Sequence, residues 1–178
     1  MKTHKQSVRH IVLAALFLSI GLVLPWLTGQ LKEIGDTLLP MHIPVLLCGL
    51  LCGWRYGALV GLALPPLRGV LFGMPPLYPN AIWMAAELAT YGLVIGLVYA
   101  RLSAKNSKGV YLSLLSAMVA GRIVWGAAKA VLLGLGGKVF TLSMFIAGGF
   151  VDAVPGILLQ LALIPVIVSL VQKRSIAN

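Results

Sequence analysis

Five ionised side chains stand in or beside stretches that are otherwise apolar: Arg68, Glu87, Arg122, Lys129 and Asp152. A cation at bilayer depth costs about 2.5–3.5 kcal/mol on insertion scales, so each needs a counter-charge, water or a bound anion. Arg122, Trp125 and Lys129 are spaced i, i+3, i+7 and share one helical face; Asn80, Trp83, Glu87 and Tyr91 share another. The chemistry this set supports is recognition. Arg68, Arg122 and Lys129 can receive a carboxylate or phosphate through charge-assisted hydrogen bonds. Glu87 and Asp152 can accept from hydroxyl, amide or amine groups, and Trp83, Tyr91 and Trp125 offer flat apolar walls. No H-E-x-x-H, G-x-S-x-G or paired-Asp motif is present, so an enzyme is not expected. His4, His10 and His42 lack ligand spacing, so no metal is expected either.

The elements that position these residues must be membrane helices. The chain has 178 residues, of which 60% are hydrophobic and 10% charged. That length accommodates a single domain, residues 1–178, of about six spans at roughly 20 residues each. The apolar stretches are continuous rather than alternating, which excludes a spanning barrel. The expected fold is an all-α membrane protein, a six-transmembrane-helix bundle in the lipid bilayer. The net charge of +10 does not imply nucleic acid, because the basic residues fall in short segments between apolar runs and no basic helix or aromatic platform accompanies them. With the N-terminus inside, Lys2, Lys5, Arg9, Arg55, Arg101, Lys105, Lys108, Lys173 and Arg174 collect on the inner side, against Lys32, Arg68 and Lys138 outside. This asymmetry puts both termini in the cytoplasm.

In chain order the expected helices cover residues 11–27, 43–53, 58–72, 80–99, 110–136 and 142–171. The first is read as a retained helix, since no small-x-small cleavage site follows it. Ala15 and Ser19 form a small-xxx-small pair there, of the kind that lets another helix approach closely. Lys32, Glu33 and Asp36 lie in a polar loop. Trp54-Arg55-Tyr56-Gly57 reads as a tight turn, and Pro65-Pro66 predicts a bend or partial unwinding of the third helix. The proline-rich segment 73–80 cannot be helical throughout. Cys48 and Cys52, four apart in an apolar run, are expected to be buried free thiols.

Helix rise converts these positions to depth. Glu87 and Lys129 each fall roughly 10 Å below the outer boundary, Asp152 about 14 Å and Arg122 about 20 Å. Two charges of each sign on three helices therefore lie in or near the outer half. They either line a polar chamber opening outward between the fourth, fifth and sixth helices, or form ion pairs such as Glu87 with Lys129 and Asp152 with Arg122.

Three segments together carry a family resemblance: Leu39-Pro-Met-His-Ile-Pro-Val, then Cys-Gly-Leu-Leu-Cys-Gly-Trp-Arg-Tyr-Gly-Ala-Leu-Val-Gly, then Pro-Pro-Leu-Arg-Gly-Val-Leu-Phe-Gly-Met-Pro-Pro. They resemble the substrate-binding S-components of energy-coupling factor (ECF) transporters. The resemblance implies a bacterial cell-membrane protein that binds a small-molecule vitamin among helices four to six and the outer loops. It implies docking on a membrane coupling protein and two cytoplasmic ATPases, and reorientation in the membrane to release the vitamin inside. No cofactor is implied in this chain, ATP being used by the partner ATPases. The family's helix-1 docking motif maps onto Ala15 and Ser19, with serine in place of the usual second alanine. Pantothenate fits the mixture of cations and acceptors; a B6 vitamer, folate or a pyrimidine precursor are the other candidates. The competing expectation is a solitary proton-coupled carrier in which Glu87 or Asp152 titrates.

Overall fold

The computed structural model describes residues 2–26, 38–102 and 106–176, and every regular element among them is helical. Helix α1 (Lys2–Val23) ends in a 3-10 turn, Leu24–Trp26. It is followed by α2 (His42–Cys52), α3 (Trp54–Phe72), α4 (Ile82–Arg101) and α5 (Ser107–Leu135). A short α6 (Leu142–Ile146) runs through a wide turn, Ala147–Val151, towards α7 (Val154–Ile176). The loop expected to carry Lys32, Glu33 and Asp36, and Lys105 of the basic connector, lie outside the described residues. Among the described residues, four stretches are long and apolar enough to cross a bilayer: Ser7–Trp26, Leu77–Arg101, Ser107–Leu135 and Leu142–Gln172.

Local chemistry explains the boundaries. Gly53, at φ 93°, separates α2 from α3 in a conformation that L side chains rarely adopt. The Asn106 side chain accepts from the Gly109 amide at 3.0 Å and starts α5. Thr141 likewise accepts from the Met144 amide at 3.3 Å at the start of α6.

Helix α4 is the hub. It packs most extensively on α3 and α5 and then on α2, while α1 covers α2 and α3, and α7 touches α2 and α5. Almost every residue of α2 is buried, so this 11-residue helix forms the inner post of the bundle. The α3–α4 contact is antiparallel and backbone-to-backbone: Gly57 lies against Gly92, Gly61 against Leu88 and Gly96 against Trp54. End-to-end contacts fix the remaining directions. The His10 and Tyr56 rings meet at one end of α1 and α3 and Trp26 and Phe72 at the other, so these helices run parallel. Gln172 donates to the Tyr99 hydroxyl at 2.6 Å, joining the C-terminal ends of α7 and α4. Arg9, Arg55, Arg101 and Lys108 are therefore exposed at one end of the bundle.

Three local expectations are corrected. Trp54-Arg55-Tyr56-Gly57 is the first turn of α3, the reversal being made by Gly53 alone. Pro65 and Pro66 lie inside an unbroken α3. Two backbone donors are missing there, yet the partial unwinding does not occur and the helix continues to Phe72. Residues 142–171 do not form one helix. The chain makes a turn at Asp152 and Ala153, and α7 starts only at Val154. Cys48 and Cys52 are buried and unlinked.

A methyl group at position 92 has nowhere to go, because the Gly57 backbone already occupies its place. Gly92→Ala is expected to destabilise the bundle by about 1–3 kcal/mol, whereas Gly134→Ala, which meets nothing within 4 Å, should not destabilise it. Thermal unfolding of the two detergent-solubilised variants, followed by tryptophan fluorescence, checks this.

Candidate functional site

The polar residues of α2, α4 and α5 converge on Glu87. This carboxylate is 2% exposed and accepts a hydrogen bond from Arg122 Nη1 at 3.0 Å across the α4–α5 contact. His42 Nε2, at the first turn of α2, lies 3.4 Å from the same oxygen, Oε1. One turn along α4, Tyr91 meets the His42 ring edge-on at 4.9 Å between centroids. Gly121 of α5 lies flat against the Tyr91 ring, where a side chain would collide. The seat of Glu87 is thus made by three helices, with an aromatic floor.

Towards the α6 end the character changes from ionic to aromatic. The Lys129 ammonium stands 4.6 Å from the Trp125 ring centroid, 5.4 Å from Trp83 and 5.6 Å from Phe140. The Arg122 guanidinium is 5.8 Å from the same Trp125 ring. Phe140 and Phe145 flank Trp125 at 6.0 and 6.1 Å, and Phe150 closes on Phe145 at 5.7 Å. The face shared by Arg122, Trp125 and Lys129 is therefore turned inward, against Trp83 of α4 and the segment around α6. Cation–ring attraction of this kind contributes about 0.5–2 kcal/mol per contact, most where water is excluded.

The other candidate residues fall elsewhere. Arg68 is buried, and its Nη1 donates to the Met74 carbonyl at 3.0 Å while its guanidinium lies 5.8 Å from the Phe72 ring. It ties the chain that leaves α3 back to that helix. Asn80 is half-buried in the wide turn Leu77–Ala81 before α4. Asp152 is exposed at the turn before α7 and forms no ion pair with a described residue. The ion pair expected between Asp152 and Arg122 is thus replaced by Glu87 with Arg122, because the break at 152–153 carries Asp152 out of the helical core. On α1, Ala15 and Ser19 are both exposed, and the Ser19 hydroxyl donates to the Ala15 carbonyl at 2.9 Å.

Sequence reasoning missed His42, the phenylalanines at 140, 145 and 150, and Gln160, a buried amide in α7. A polar residue isolated in an apolar helix was the available signal for His42 and Gln160. The phenylalanines had none, since an aromatic in a linker (Phe140) or in an apolar helix (Phe145, Phe150) looks the same whether it caps a site or not.

A separate cavity of about 410 Å³ lies between α1, α2 and α7, lined by Phe17, Leu47, Leu163 and other wholly apolar side chains. It offers no hydrogen-bond partner and does not suit a water-soluble solute.

A family model for the substrate-specific component of ECF transporters matches residues 9–169. The chain belongs to this family. No curated protein and no solved structure matches it. Membership makes this membrane protein a transport subunit, and the apolar helices are its membrane-embedded part.

Within the component, Glu87 is the only carboxylate among the described residues that pairs with Arg122. Removing one partner of a buried pair leaves the other uncompensated, at about 3–5 kcal/mol. Glu87→Ala should therefore lower the unfolding temperature sharply, and the double variant Glu87→Gln/Arg122→Gln should recover much of the loss. Thermal unfolding of both variants beside the unmodified protein provides the check.

Proposed function

We propose that the chain is the substrate-capturing subunit of an ATP-driven importer, with its solute held between α4, α5 and the α6 segment. The observation that carries this reading is Lys129. Its ammonium sits among Trp83, Trp125 and Phe140, beside an arginine that is itself held by Glu87. Buried ionisable groups in a membrane bundle mark solute routes by default. Here they lie at the end of α5 remote from Arg9, Arg55, Arg101 and Lys108. If that basic end faces the cytoplasm of a bacterial cell, as positive-inside orientation requires, the site faces outward. The six-span reading counts α1 to α5 and the α6–α7 unit, with both termini inside.

The solute is a small water-soluble vitamin or precursor, with pantothenate leading a B6 vitamer, folate or a pyrimidine precursor. Family membership supports a coupling protein and two ATPases as partners. The exposed strip of α1 around Ala15 and Ser19, bordered by Val12 and Leu16, supports docking on that helix.

Lys129→Ala is expected to weaken binding of the co-purifying solute by about 1.5–3 kcal/mol, the value of one charged contact. Titration of the purified, folded variant measures it, and an unchanged affinity removes Lys129 from the site. Ala15→Trp should abolish co-purification with the coupling protein and leave solute binding intact. A retained complex with normal uptake would move the docking face off α1.

A further inference from the structure

The buried polar atoms left without a partner among the described residues are all nitrogens: His42 Nδ1 and Nε2, Arg68 Nε, Arg122 Nε and Nη2, and Gln160 Nε2. Two of these nitrogens lie together on Arg122 and form one edge of the guanidinium of a residue that is 4% exposed. Glu87 takes only the Nη1 corner of that group. The Nε–Nη2 edge is the planar fork that matches the two oxygens of a carboxylate. A buried donor without a partner costs about 1–3 kcal/mol, more when charged, so two on one side chain point to a ligand that supplies acceptors.

We propose that the substrate is a carboxylate monoanion whose two oxygens take the free Nε–Nη2 edge of Arg122, with an apolar or flat portion against Trp125. This rests on the reading of the site given above and narrows it to one chemical class. Glu87 sets the limit on charge. Its carboxylate already shares the guanidinium, so a phosphate dianion would bring two more negative charges next to a buried one, with the repulsion that entails. One negative charge on a planar group meets both the fork and that limit. His42 Nε2 lies 3.4 Å from the same Glu87 oxygen and packs beside the carboxylate without a hydrogen bond to it. Trp125, whose ring lies 5.8 Å from the guanidinium, provides the wall for the remainder of the molecule.

The test uses the full-length protein in detergent and two pools of water-soluble metabolites at millimolar concentration, one of carboxylic acids and one of uncharged or cationic compounds. Pantothenate with pantothenyl alcohol, and nicotinate with nicotinamide, serve as matched pairs across the pools. Thermal stabilisation is expected from the acid pool, with the uncharged counterpart of any hit binding at least about tenfold more weakly. Glu87→Gln/Arg122→Gln, which removes both charges together, should lose the acid by a similar factor. Arg122→Lys, which keeps the charge and loses the fork, should also weaken it. A stabilising compound from the uncharged or cationic pool whose binding is lost in Lys129→Ala overturns the carboxylate assignment and leaves the site standing. An acid that binds the double variant undiminished overturns the role of Arg122. Stabilisation by neither pool overturns both this inference and the reading on which it rests.

Discussion

Ionised groups cannot stand alone in hydrocarbon, and the arrangement of this bundle follows from how Glu87 meets that constraint. Its carboxylate is reached by Arg122 from α5 and by His42 from α2, so one side chain of α4 joins three helices through a single oxygen. The attraction is strong in a low-dielectric interior, yet desolvation offsets much of it, so the cluster is better understood as fixing register than as supplying net stability. Sliding α5 by one turn would separate Arg122 from its partner, and sliding α2 would remove His42 from the Tyr91 ring.

That register depends in turn on backbone proximity. Gly57, Gly61, Gly92 and Gly96 bring α3 and α4 together without intervening side chains, and Gly49 of α2 comes up against the same glycines. Apolar burial cannot drive such contacts in a membrane, because lipid tails compete on equal terms, so close packing of small residues takes its place.

Along α5 the site passes from an ion pair to an aromatic enclosure. Arg122 is anchored by charge, Trp125 by the phenylalanines of the 140–150 segment, and Lys129 by the faces of three rings. The two modes lie next to each other along one face of α5. The chain carrying them is a substrate-specific transport component of the ECF family.

Helix identity, membrane residence and the facing of Arg122, Trp125 and Lys129 were legible from the amino-acid order, because hydrophobic run length and the 3.6-residue period are local properties. The family was legible for a similar reason, its motifs being contiguous. Partner choice was not. Depth along isolated helices set Glu87 level with Lys129 and above Arg122, whereas the rotation and offset of α4 against α5 bring it to Arg122. His42 entered the cluster because α2 sits at the centre of the bundle, a placement no periodicity encodes. Asp152 left it because the chain turns at 152–153, where an apolar run had suggested a continuous helix. Length, polarity and facing are written in the order of residues along one helix; which charges meet is decided between helices, where packing of remote surfaces sets the angle and the offset.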